Sequence, residues 1–193
     1  QLAGKPSMMS PDGGKPISGH DHGNVEMSSE NIDSTHKTKP ELLTISQKAK
    51  DALKPIFTEY LSMKDALTND NLEDTKKAGT NILKTVEGLN MTLFTGDSHG
   101  VWMSFSSDLK NALQHVQHFK TLDEIRNAFY KVSNIMIGLE TTFNPNDEVL
   151  YIIHCPMANN NSGADWLSQS KEVKNPYYGQ SMLTCGKVTK EIK

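Results

Sequence analysis

The sequence predicts a mainly α-helical fold: an antiparallel up-and-down four-helix bundle with a small C-terminal two-stranded β element and a long aromatic loop. Three observations carry this reading. Apolar residues recur at three- and four-residue steps in four runs that begin at residue 44 and stop at "NPND", residues 144–147. The connections between runs are too short for a long crossover, so neighbouring helices should be antiparallel. Finally, "VLYIIHCP" at 149–156 is β-branched and aromatic, too short for a typical helix, and bounded by turn residues, which marks a strand.

The first helix should open on a capping box of Thr44 and Gln47 and bury Ala49, Leu53, Ile56, Phe57, Tyr60, Leu61 and Leu67. Pro55 removes one backbone donor and should kink this helix without ending it. "TNDN" at 68–71 is a turn. The second helix follows Asp70 with Leu72, Ile82, Leu83, Val86 and Leu89 on its face, and small Ala78 and Gly79 allow close approach. "FTGDSHG" at 94–100 breaks it. The third helix carries Val101, Trp102, Phe105, Leu109, Leu113, Val116 and Phe119. The fourth opens on a capping box of Thr121 and Glu124 and carries Leu122, Ile125, Phe129, Val132, Met136 and Leu139. "SMLTCGKV" at 181–188 is the expected partner of the 149–156 strand, and the loop between them is anchored by Trp166, Leu167, Tyr177 and Tyr178.

Residues 1–40 differ in composition. They are rich in Gly, Pro, Ser, Asp and Lys, contain no aromatic residue, and show no periodic apolar pattern, which reads as a flexible tail. The domain is therefore expected over 41–193. The tail carries Met8, Met9 and Met27 together with His20, His22 and His36, and its "HDH" is a weak candidate site for Cu²⁺ or Zn²⁺. The chain starts with Gln1 rather than Met, so it reads as processed or trimmed, and its two cysteines do not fix a compartment. A formal net charge of −3 in 193 residues argues against a nucleic-acid partner held by a basic surface. No apolar run approaches the roughly 20 residues that span a bilayer.

The only two cysteines are Cys155, in "IHCPMA", and Cys185, in "MLTCG". In an extended strand Cys155 and Met157 face one side and His154 the other. With Cys185 on a neighbouring strand, two sulfurs meet, and Met157, Met182 or His154 would add a thioether or an imidazole. That set is soft and matches Cu(I) or Ag(I), with Zn²⁺ as a lesser fit. A Cys155–Cys185 disulfide, contributing roughly 3–4 kcal/mol by loop closure, and two unlinked thiols are the alternatives these residues leave open; with the disulfide the chain reads instead as a non-metal structural or protein-interaction domain. His115 and His118 lie three apart on the third helix, and His99 and Met103 lie four apart beside Trp102. Both pairs are further candidate metal ligands, against plain surface and helix-start readings. Met63 and Met136 read as core filler. The sequence contains no phosphate loop, no GxSxG elbow, no HExxH and no CxxC, so no enzyme activity is expected.

"CPMA…G…WLS…KEVKNPYYGQSMLTCG" resembles the signature of a domain of unknown function found at the C-terminus of CusB-like copper/silver-efflux periplasmic adaptor proteins, and also as small stand-alone exported proteins. The likeness rests on Cys155, Pro156, Met157, Gly163, Trp166, Leu167, Asn175, Pro176, Tyr177, Gly179, Met182, Leu183, Cys185 and Gly186, with "YLSMKDAL" at 60–67 as a second mark. It covers roughly residues 42–190. His154 stands where Tyr is often expected. The resemblance implies a periplasmic or otherwise exported location, with a signal peptide removed, a link to heavy-metal handling, and an efflux adaptor or another periplasmic protein as partner. It implies no reaction, and it strengthens the metal reading of Cys155 and Cys185. A redox-sensitive pair can hold Cu(I) when reduced and bridge when oxidised.

Overall fold

The computed structural model describes residues 42–193. The tail, with its histidines and methionines, lies outside the described residues. Four helices come first in the chain: α1 (Gln47–Thr68), α2 (Leu72–Gly88), α3 (Asp97–Leu113) and α4 (Leu122–Phe143). Three strands follow: β1 (Leu150–Cys155), β2 (Ala164–Ser168) and β3 (Lys187–Ile192). The protein is thus mainly helical, with a small antiparallel sheet at its C-terminal end. Each helix packs on the next, and α4 returns to α1. No helix among the described residues is long and apolar enough to cross a membrane.

Three of the four helix starts use side-chain caps. Ser46, not Thr44, caps α1 by accepting from the Ala49 N–H, and Gln47 instead donates to Asp51. The serine sits immediately before the periodic run, so it displaces the expected capping box by two residues. Asn71 caps α2. At α4 the box of Thr121 and Glu124 forms as expected, each side chain accepting from the other's backbone. Pro55 lies inside α1 on its exposed side, where the carbonyl it leaves unpaired can face water. The third helical run divides in two. The α-helix begins at Asp97, taking in His99 and Gly100, and ends at Leu113. Val116–His118 then forms a separate 3₁₀ turn. The tighter turn keeps Val116 in the core, 1% exposed, while redirecting the chain toward the Thr121 cap.

The core runs the length of the helices and continues under the sheet. Leu53, Ile56, Tyr60, Met63, Ile82, Trp102, Leu109, Phe129, Met136 and Leu139 are all buried, so both helical methionines are core filler. Phe94 stacks on Trp102, which therefore points inward from α3.

The sheet has three strands rather than two, in the order β2-β1-β3, all antiparallel. The added strand, β2, lies within the stretch expected to be an aromatic loop. Its residues Ala164, Trp166, Leu167 and Ser168 are buried on both faces, so the alternation that betrays a half-buried strand is missing. The expected strand at 181–188 is largely a turn: Gly179–Ser181 is 3₁₀ and pairing starts only at Lys187. Joining β1 to β2 is a turn in which Asn159, Asn160 and Asn161 all take left-handed angles, a conformation asparagine tolerates better than most residues.

Candidate thiol site

The outer edge of β2 is tied to the helices by side chains. The Leu167 N–H donates to the Tyr60 hydroxyl (3.0 Å), and Ser133 Oγ donates to the Asp165 carbonyl (2.9 Å). Ser133 has one proton, so the 2.7 Å contact between Tyr60 and Ser133 is a bond donated by tyrosine. Tyr177 adds a second donor to the Asp165 carbonyl at 2.8 Å. Burial drives both phenols upward in pKa, which keeps them protonated as donors. This network orients β2, and through it β1, against α1 and α4.

The segment after β2 is held by two polar centres. Asn175 is fully buried. Its amide nitrogen donates to the Cys185 carbonyl (2.7 Å), its side-chain oxygen accepts from the Tyr177 and Tyr178 N–H groups, and its backbone N–H bonds the Leu183 carbonyl. Arg126 on α4 reaches the Pro176 carbonyl, the Leu67 carbonyl at the end of α1, and the Asp70 carboxylate. Asp70 in turn accepts from the Gln180 N–H. "NPYYGQSMLTCG" is therefore a folded clasp fixed at both ends.

That clasp delivers Cys185 to Cys155. The two sulfurs lie 3.1 Å apart, across 30 residues of chain. Cys155 closes β1 and is fully buried, while Cys185 is half-buried in the turn before β3. The hydrogen bond with Cys155, reinforced by burial, holds the Cys185 thiol above the usual thiol range. Gly186 follows with φ +145°, and a Cβ there would stand 3.0 Å from both the His154 carbonyl and the Trp166 indole. The turn therefore rests directly on β1 and on Trp166, whose buried indole N–H has no partner among the described residues.

The other expected ligands are arranged differently. His154 points away from Cys155, as the pleat requires. Its Nδ1 bonds the Asp165 carboxylate at 2.9 Å, and the ring packs on Gly163. Met157 is not carried to the Cys155 face, because β1 ends at Cys155. It begins the next turn and is 43% exposed. Met182 shares the Cys185 turn, accepting from the Cys185 N–H through its carbonyl, and is half-buried. His99 and Met103 are exposed one turn apart on α3. No group of three or more His, Cys, Asp or Glu side chains converges among the described residues. Sequence reasoning missed Tyr60, Asp70, Arg126, Ser133 and Asp165 as the residues that build the site. Only the Asp in "TNDN", read as a turn residue, carried a local signal.

Comparison with known proteins adds one match. Residues 56–148 fit the model of a family described as a protein of unknown function (DUF3347). The helical part of the chain is therefore similar to a domain of unknown function. The match covers just under half of the chain and stops before β1, so it includes neither cysteine. No curated protein and no solved structure was found to match.

Proposed function

We propose that this is an exported, non-enzymatic accessory domain that holds one soft monovalent ion, Cu(I) or Ag(I), between Cys155 and Cys185. The observation that carries the reading is the 3.1 Å approach of the only two cysteines, delivered by separate and independently anchored segments. Thiolate pairs favour soft ions. A structural zinc site needs four ligands. Among the described residues only two thiols and no third His, Cys, Asp or Glu converge here, which suits an ion content with low coordination. Met182, in the same turn as Cys185, is the thioether placed to complete the shell. His154, on the opposite face and bound to Asp165, is not assigned as a ligand.

The ring of helix contacts fits an up-and-down four-helix bundle, and we take the bundle as the scaffold. An efflux adaptor or another exported protein would be the receiver of the ion. The exposed side of the pair, Cys185, is where exchange with such a partner would begin.

A second reading has its own support. The same approach, with Cys155 wholly buried, also suits a disulfide that staples the clasp to β1. Alkylation separates the two. In reduced full-length protein, one equivalent of Ag(I) should protect both thiols together from iodoacetamide. Protein isolated without reductant whose intact mass lacks two hydrogens, and whose reduced thiols alkylate equally with and without Ag(I), would favour the staple.

A further inference from the structure

A second pair of ligand-bearing residues lies in the connection between α3 and α4. His115 caps the start, and His118 forms the last residue, of the 3₁₀ turn Val116–His118 that joins α3 to α4. In a 3₁₀ helix three residues make one turn, so side chains at i and i+3 eclipse. The backbone closes this turn through the His118 N–H to the His115 carbonyl at 2.9 Å. The two imidazoles accordingly stand with ring centroids 6.3 Å apart and planes inclined by 49°. Both residues are exposed, and neither imidazole is hydrogen-bonded or ion-paired among the described residues.

The residues between them fix the turn. Val116 is 1% exposed and its Cγ2 lies 2.8 Å from where a Cβ on Gly79 of α2 would stand, so only glycine permits that seat. Gln117 donates to the Thr80 hydroxyl and the Lys76 carbonyl, also on α2. Val116 is thus seated in the core and Gln117 tied along α2, while the two imidazoles are exposed on a backbone that is already ordered. Little backbone entropy remains to be lost on binding.

We propose that His115 and His118 form a surface site for a borderline divalent cation of the Zn²⁺ or Cu²⁺ type, which imidazole nitrogen suits. Two imidazoles on one tetrahedral ion, with metal–nitrogen bonds of about 2.0–2.1 Å, place their centroids about 5 Å apart. Closure from the observed separation needs a movement of about 1 Å, within the rotamer freedom of exposed side chains. No third His, Cys, Asp or Glu among the described residues joins them, so water completes the shell. The site uses neither cysteine, and its existence is independent of the soft-ion reading.

The test is a Zn²⁺ titration of the full chain, carrying Cys155→Ser and Cys185→Ser to silence the thiols, followed by NMR of the histidine rings. The His115 and His118 ring signals should move together with a common midpoint. His115→Ala should abolish the response at His118 while leaving the amide spectrum of the helices in place. The proposal is overturned if neither ring responds, if only histidines of the tail respond, or if His118 titrates with an unchanged midpoint in His115→Ala.

Discussion

At the scale of single residues, two buried polar groups make quantitative claims. Tyr60 is the only described partner of the Leu167 N–H and the donor to Ser133. Tyr60→Phe leaves that N–H buried and unpaired, so the domain should lose about 1–3 kcal/mol of stability in urea denaturation. Glu140, 1% exposed, has its carboxyl pushed up from 4.5 to about 7, mainly by burial and against the opposing hydrogen bond from Asn146. The sign follows from proton binding. Between the two values the folded state keeps a proton that the unfolded state has released, so this group's contribution to stability falls as pH rises from about 4.5 to about 7. Above that range its contribution is constant. Glu140→Gln should flatten this slope and raise stability at pH 8 relative to the parent, read from thermal melts across pH. A slope unchanged by the substitution would refute the assignment.

At the scale of elements, the capping box and the Cys185 turn are the sensitive joints. Thr121→Ala removes the acceptor for the Glu124 N–H and should cost about 1 kcal/mol, visible in chemical denaturation. Gly186→Ala meets a harder limit, since its Cβ would press on the backbone of His154 and on Trp166 at a φ that L side chains rarely adopt. The turn must lift, which should separate the sulfurs and slow oxidative closure of the pair in a thiol assay. The elements also show what a sequence discloses. The four helices were legible because each buries one face at helical spacing. Even Thr121 with Glu124, a purely local pattern, was correct. The third strand was not legible, because β2 is covered on both faces and lost its alternation to the Tyr60, Ser133 and Tyr177 contacts. Cys185 was expected in a strand, yet a buried Asn175, which no local rule singles out, folds that stretch into a turn. The meeting of the two cysteines survived this error because the turn and the strand bring residue 185 to the same edge of β1. Met157 shows the reverse: alternation was extended past the end of the strand that justified it.

At the scale of the whole molecule, a shared core joins helices to sheet, and three polar or sulfur links fix the rest: the Tyr60–Ser133–Asp165 network between helices and β2, Arg126 with Asp70 beneath the clasp, and the sulfur pair between clasp and β1. Two of these act with or without metal. The third depends on redox state, and bridging it across 30 residues should add roughly 3–4 kcal/mol by the chain-entropy model. Soft-ion binding to the reduced pair should stabilise the same joint by mass action, so the apparent melting temperature of reduced protein should rise with added Cu(I) and not with added Na⁺. The central claim is that the two thiols together hold one ion. It is tested most directly by anaerobic Cu(I) titration of the reduced full chain against a competing chelator, beside the Cys155→Ser/Cys185→Ser variant. The account predicts one tightly held equivalent in the parent that disappears in the variant. Equal, weak binding by both would contradict it.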